Sequence, residues 1–91
     1  MKTIWKFNVC PDSGFYLELP NGAVFLDVQT QNGEPCAWFE VDSEAPREKR
    51  KFASFGTGHP IPDNVYLKYL GTFQLLEGIL IYHMYEVITN N

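Results

Sequence analysis

The chain has 91 residues, of which 45% are hydrophobic and 15% aromatic, and its formal net charge is −4. This size and composition predict one folded domain over residues 1–91 and exclude a disordered chain. The negative charge excludes a protein that binds long nucleic acid, which needs a positive field. No apolar run approaches the roughly 20 residues of a membrane span.

Two short strands are predicted at the start of the chain. From Thr3 to Val9 apolar and polar residues alternate, which is typical of a half-buried strand. Pro11-Asp12-Ser13-Gly14 has turn chemistry and ends this strand. Residues 15–19 give the second strand, and the tight-turn sequence Pro20-Asn21-Gly22 closes it.

A hairpin is predicted next. Residues 23–31 form the clearest strand, and its alternation predicts that Val24, Leu26 and Val28 point inward. Asn32-Gly33 follows, which is the strongest short hairpin signal because a type I′ turn requires positive φ at both central positions. The return strand at 35–41 is apolar on both faces, so we expect it either in the middle of a sheet or covering a second layer.

The second half of the chain begins with a polar segment at 42–51, which holds four of the seven basic residues. A strand resumes at 52–55 and leads into a bend at 56–62. One short helical turn is predicted near 62–67, with Asp63 or Asn64 as its cap. A final hairpin joins residues 69–75 to 79–87. The pattern as a whole predicts an all-β fold: a small antiparallel, meander-rich sandwich or barrel of about seven strands.

The bend carries the chemistry of a binding loop. Gly56 and Gly58 permit unusual backbone conformations, two prolines stiffen the segment, and Thr57 supplies a hydroxyl. Such a loop can hold an anion on its backbone N–H groups, although the same glycines could merely turn the chain. His59 is expected to be exposed and able to donate to a phosphate or a base edge.

Two further groups of residues complete the predicted site. Arg47, Lys49 and Arg50 could supply positive charge to phosphates, or could form an ordinary solvated strand end. Tyr66 and Tyr69 could stack on a base or fill the core.

A metal site and a catalytic site are not expected. Cys10, Cys36, His59 and His83 lack the close pairing of zinc ligands, and a Cys36–histidine dyad lacks any known signature. His83 lies in an apolar strand and is interpreted as a hydrogen-bonded core histidine. The opening residues contain no unbroken apolar stretch, so we expect no signal peptide, a cytoplasmic location and reduced thiols.

Several short motifs occur in order along the chain, and two are specific: Gly-Thr-Gly-His-Pro-Ile at 56–61 and Gly-Thr-Phe-Gln at 71–74. The others are 28–29, 31–33, 35–38, 41–42, 48–50, His83 and Glu86. Together they resemble a family of short phage and prophage proteins of unknown function, over nearly the whole chain. The resemblance implies a phage or mobile-element origin, hence the host cytoplasm, and it supplies no catalytic residue. Small phage proteins of this size often act by stoichiometric capture.

The leading hypothesis is therefore a non-enzymatic, homo-oligomeric binding protein without a cofactor. It would sequester a small anionic ligand, such as a cyclic-nucleotide or ADP-ribose-type defence signal, as an anti-defence sponge. A protein-interaction module that inhibits a host protein or serves in the virion is the alternative. A small hydrolase of the same nucleotides is the third possibility.

Overall fold

A computed structural model describes residues 1–88 and confirms the all-β prediction: seven antiparallel strands form two sheets in a sandwich-like arrangement. One sheet has the order β1-β4-β3 and the other the order β2-β5-β7-β6. The described residues contain no helix, and so none that could cross a membrane. The strands are β1 (Lys2–Asn8), β2 (Phe15–Pro20), β3 (Val24–Gln31), β4 (Glu34–Asp42), β5 (Arg47–Gly56), β6 (Tyr66–Leu75) and β7 (Leu80–Ile88).

The helical turn predicted near 62–67 is wrong. Asp63 and Asn64 form a simple turn, and β6 already begins at Tyr66, which pairs with Ile88 of β7. A single helical turn fixes several dihedral angles for one hydrogen bond, whereas the ladder with β7 offers a bond partner to each residue in register. Tyr66 therefore belongs to strand β6, although the sequence pattern had assigned it to a helical turn.

The hairpin between β3 and β4 forms as predicted. Asn32 and Gly33 have φ values of 53° and 81°, the left-handed pair that a type I′ turn requires. β4 pairs with β1 on one side and β3 on the other, which confirms that it lies mid-sheet. Its two apolar faces are explained by this central place.

The inward direction predicted for Val24 and Leu26 is wrong. The pairing of β3 with β4 shifts register between Phe25 and Asp27, and this β-bulge reverses the alternation. Val24 and Leu26 are consequently 54% and 45% exposed. Phe25 packs edge-on against Phe39 instead, whereas Val28, beyond the bulge, is buried as predicted.

Phe39 of β4 lies at the centre of the core between the sheets. Its ring is fully buried and makes edge-to-face contacts with Phe7, Phe25 and Phe52 at centroid distances of 5.6–5.9 Å. Such aromatic pairs contribute beyond their buried area, which matters in a domain this small. Met84 of β7 and Leu19 of β2 close the same cluster.

The connection from β5 to β6 is not a hairpin. β7 lies between these two parallel strands, and Gly56 pairs with Tyr82 whereas Tyr66 pairs with Ile88. Residues 57–65 must therefore return about 20 Å along the sheet and pass β7. Phe55 is 7% exposed although it lies on the face turned away from the core, and it lines one groove with Pro60 and Pro62. The crossing segment thus lies against that face, which we call the outer face.

Candidate functional site

The bend is exposed and held in one conformation. His59 N–H donates to Gly56 O at 3.0 Å, which closes a turn, and Gly58 within it has a φ of 86°. Thr57 N–H donates to Ile81 O of β7 at 3.1 Å. Thr57, Gly58 and His59 are all exposed. The side chain of His59 lies so close to Gly56 that a Cβ there would approach its ring to 2.8 Å.

These hydrogen bonds limit the backbone anion site that the sequence predicts. Two of its N–H donors, those of Thr57 and His59, already have acceptors inside the chain. Within residues 1–88, the N–H of Gly58 meets no acceptor. Of the three residues Thr57, Gly58 and His59, only Gly58 therefore keeps a free N–H within the described chain, whereas a nest needs several.

Four side chains form a continuous hydrogen-bonded chain on the outer face, which we call the polar network. Thr57 Oγ1 lies 2.8 Å from His83 Nε2, and His83 Nδ1 lies 3.0 Å from Thr72 Oγ1. Thr72 Oγ1 in turn lies 2.5 Å from Tyr69 OH. The network joins two of the motifs quoted from the sequence, because Thr57 belongs to residues 56–61 and Thr72 to residues 71–74.

His83 is not the core histidine that the sequence suggests. Met84, its neighbour, points into the core and is fully buried, so the alternation of β7 turns His83 to the outer face, where it is only partly buried. Its direct partners across the ladders are Phe55 and Thr72. An edge-to-face row of aromatic rings, Phe55, Tyr85 and Tyr69, lies beside the network with centroid distances of 5.8 and 5.5 Å.

The predicted basic residues lie at the opposite end of β5. Gly56 follows Lys49 by seven positions, which corresponds to about 23 Å of extended strand. Tyr66 shares that far end through its pairing with Ile88, whereas Tyr69 belongs to the polar network. One subunit therefore does not bring the predicted basic residues to the bend.

The basic residues also differ in their availability. The guanidinium of Arg50 points inward and holds Glu86 through two hydrogen bonds of 2.7 and 2.9 Å. Arg47 lies over the ring of Trp5 at 5.1 Å. Lys49 is exposed and forms no salt bridge within the described part of the chain.

A second cluster, which the sequence analysis missed, surrounds Lys49. Lys51 lies two residues further on the same face, with its Nζ 5.8 Å from the ring centroid of Tyr16, which is 60% exposed. Tyr16 and Lys51 are direct partners in the β2–β5 ladder, a pairing that alternation within each strand could not reveal. These residues line a groove of about 350 Å³, which we call the basic groove. Its remaining lining residues are Arg50, Glu86, Val87 and Ile88.

A family model described as Domain of unknown function (DUF7352) matches residues 1–91. The chain belongs to this family. No curated protein and no solved structure matches the chain. The function of this family is unknown. A functional proposal for the chain therefore rests on the geometry of the bend, the polar network and the basic groove.

The two cysteines and two histidines considered as metal ligands do not form one cluster within residues 1–88. Cys36 is buried, with its Sγ 3.5 Å from Glu34 O, and Cys10 is exposed. His59 and His83 lie near the bend. Among residues 1–88, no three histidine, cysteine or acidic side chains form a cluster that could hold a metal ion.

Proposed function

We propose that the protein is a binding protein that captures a small anionic ligand bearing an aromatic group and releases it chemically unchanged. The basic groove is the observation that carries this proposal. It places two lysines, which form no salt bridge with any of residues 1–88, beside an exposed tyrosine ring on a protein whose net charge is −4. Nucleotide signals of the cyclic or ADP-ribose type combine the two features that this surface would recognise.

Each part of the groove has a separate task. The ring of Tyr16 offers a stacking surface, and stacking of a base on an aromatic side chain contributes about 1–3 kcal/mol. The ammonium groups of Lys49 and Lys51 would neutralise phosphates. Arg50 and Glu86 neutralise each other and so form the wall of the groove. The volume of about 350 Å³ lies within the range of small-molecule sites.

Capture of such a ligand would benefit a phage. A prophage-encoded protein that holds a host's nucleotide signal stoichiometrically would act as an anti-defence sponge in the host cytoplasm. A homo-oligomer in which the bend of one subunit approaches the basic groove of another would unite the residues that one subunit keeps apart. Native mass measurements with and without ligand test that assembly.

Thermal unfolding with a panel of cyclic di- and trinucleotides, cyclic ADP-ribose isomers and ADP tests the proposal. A ligand at 100 times its Kd stabilises the fold by about 2.7 kcal/mol. That shift should disappear in Tyr16→Ala and in the double variant Lys49→Gln/Lys51→Gln. Lys68→Gln, an exposed lysine on β6, is the matched control and should keep the shift. A panel without any shift, or a shift that both groove variants retain, refutes the proposal.

Ligand recovery separates capture from turnover. The bound nucleotide should leave the heated complex with its mass unchanged. A shortened or hydrolysed product would instead favour a small hydrolase.

The tip of the β6–β7 hairpin supports a second candidate, a protein-interaction module. Leu76 and Ile79 are 65% and 78% exposed, and both Leu76 and Glu77 have left-handed φ values near 53°. A leucine in this conformation is unfavourable, and such strain clusters at functional sites. A single saturable protein partner, lost in Leu76→Ser/Ile79→Ser and indifferent to nucleotides, would favour this function.

A further inference from the structure

The polar network has the arrangement that nucleophilic catalysis by an alcohol requires. A hydroxyl, Thr57 Oγ1, lies 2.8 Å from a histidine nitrogen, and the other nitrogen of that ring is held by a third group, Thr72, at 3.0 Å. This is the nucleophile, base and orienting group of hydrolases that form covalent intermediates. Tyr69 extends the chain by one more hydroxyl.

One orientation of the protons makes Thr57 a donor to the base. If His83 Nδ1–H donates to Thr72 Oγ1, the Thr72 hydroxyl donates to Tyr69 and His83 Nε2 accepts from the Thr57 hydroxyl. Each of the three hydrogen bonds then has one donor and one acceptor, and every donor proton points from Thr57 towards Tyr69 along the network. The opposite direction satisfies them equally but leaves Nε2 protonated, so only the first orientation activates Thr57.

Two further features lie at Thr57. The N–H of Gly58 immediately follows the hydroxyl in sequence and meets no acceptor within residues 1–88, so it is free to stabilise a developing oxyanion. A cavity of about 150 Å³ is lined by Thr57 and His59 together with the apolar run Ile79–Tyr82. This cavity has room for a short apolar acyl group.

We propose that Thr57 is a nucleophile that accepts a short acyl group from an activated ester, with His83 as its general base. Thr57 Oγ1 forms a bond to the carbonyl carbon while its proton moves to His83 Nε2. The ester C–O bond then breaks, and the proton leaves with the alcohol or is released if the alcohol leaves as an anion. Water, deprotonated by His83, then forms a bond to the acyl carbon. The bond from that carbon to Thr57 Oγ1 breaks, Oγ1 takes the proton back from His83, and the carboxylic acid leaves. Thr72 is a positioning residue that acts through the imidazole.

A purely structural role explains the same contacts, because the network also fastens the bend to β6 and β7. The two roles differ in one observable property, which is covalent modification of Thr57. The site lies at the opposite end of β5 from the basic groove, so its failure would leave the proposed ligand capture untouched, and the reverse also holds.

The full chain is incubated with p-nitrophenyl acetate, and both p-nitrophenolate release and the acetylated residue are measured by absorbance and peptide mass mapping. Thr57 should carry the acetyl group, and Thr57→Ser should retain acetylation at that position. Thr57→Ala should lose it, and His83→Gln should lower the rate of acetylation at residue 57 about 100-fold. Thr3→Ala, a threonine of β1 outside the network, should match the natural protein.

Thr72 has its own readout. Thr72→Val should lower the rate and change its pH profile, and Thr72→Ser should restore both. Melting temperatures identify any variant that fails to fold, and Thr57→Ser preserves the hydroxyl for that reason. Acetylation confined to lysines or the amino terminus overturns the proposal, as does acetylation of Thr57 at an unchanged rate in His83→Gln.

Discussion

Among the salt bridges of residues 1–88, the pair of Arg50 and Glu86 is the least exposed, so we expect its loss to cost the most stability. Arg50 donates to both carboxylate oxygens of Glu86 and, through Nη1, to Ala23 O at 2.7 Å. Its guanidinium carbon also lies 6.0 Å from the ring centroid of Phe39. The hydrogen bond to Glu86 raises the pKa of Arg50 above its ordinary value, so the guanidinium stays charged.

Arg50→Ala should therefore be strongly destabilising. Removal of one partner from a buried ion pair costs about 3–5 kcal/mol because the other charge remains without compensation. The side chains of Arg50 and Glu86 keep 20% and 14% of their exposure, which places the expected loss at the lower limit, about 3 kcal/mol. For a domain of this size that loss corresponds to roughly 15 °C in Tm.

Urea denaturation followed by tryptophan fluorescence measures this loss. Lys49→Ala, one residue away but exposed on the other face, is the matched control and should change stability by no more than about 0.5 kcal/mol. The double variant Arg50→Met/Glu86→Leu should recover most of the loss, since apolar replacement of a buried pair is often neutral. A loss below about 1 kcal/mol in Arg50→Ala, or a double variant no better than the single one, would refute the reasoning.

Three further changes test other parts of the fold. Gly71→Ala places a Cβ 2.7 Å from Val28 Cγ1 and should cost about 2 kcal/mol in urea denaturation, with a smaller added cost in a Val28→Ala background. Leu76→Gly removes a side chain from a residue with φ of 53° and should stabilise the protein by about 0.5 kcal/mol in the same assay. The carboxylate of Asp42 accepts from the N–H of Glu44 and from the amino group of Met1, and these bonds lower its pKa below 3.8. A carboxyl group whose pKa is lowered by folding stabilises the folded state at pH values above its ordinary pKa, and this contribution is lost as the pH falls through the folded-state pKa. Asp42→Asn removes the contribution, so the free energy of unfolding should decline less steeply below about pH 4.

Turn chemistry was the part of the fold most readily predicted from the sequence. Asn32-Gly33 specifies a left-handed pair of residues and hence a hairpin, and the structure contains it with the expected φ values. The bulge at Leu26 could not be predicted in the same way. Leu26 fits the alternation of apolar and polar residues in β3, and this alternation does not show that the pairing with β4 shifts there. Similarly, β5 extends back to Arg47 because its polar residues pair with β2, a long-range contact that local composition does not encode.

The candidate site shows where local prediction ends. The bend was predicted to be exposed, and Thr57, Gly58 and His59 are exposed. Its neighbours depend on a topology in which β7 lies between β5 and β6. That insertion places Thr57 and Thr72 on either side of His83 and leaves Lys49 at the far end of β5. The pairing of β5 with β2 places Tyr16 in the same groove as Lys49 and Lys51. The prediction had assigned the stacking role to Tyr66 or Tyr69 instead.

The direction of His83 depends on a choice that β7 alone leaves open, since both of its faces carry apolar residues. The neighbouring strands decide it. Met84 pairs with Gly71 of β6 and belongs to the same buried core cluster as Phe52 and Phe73. A slip of one residue would expose Met84, bury the imidazole and separate it from Thr72. Packing on the inner face of β7 thus fixes the hydrogen bonds on its outer face, and any chemistry at Thr57 depends on that register.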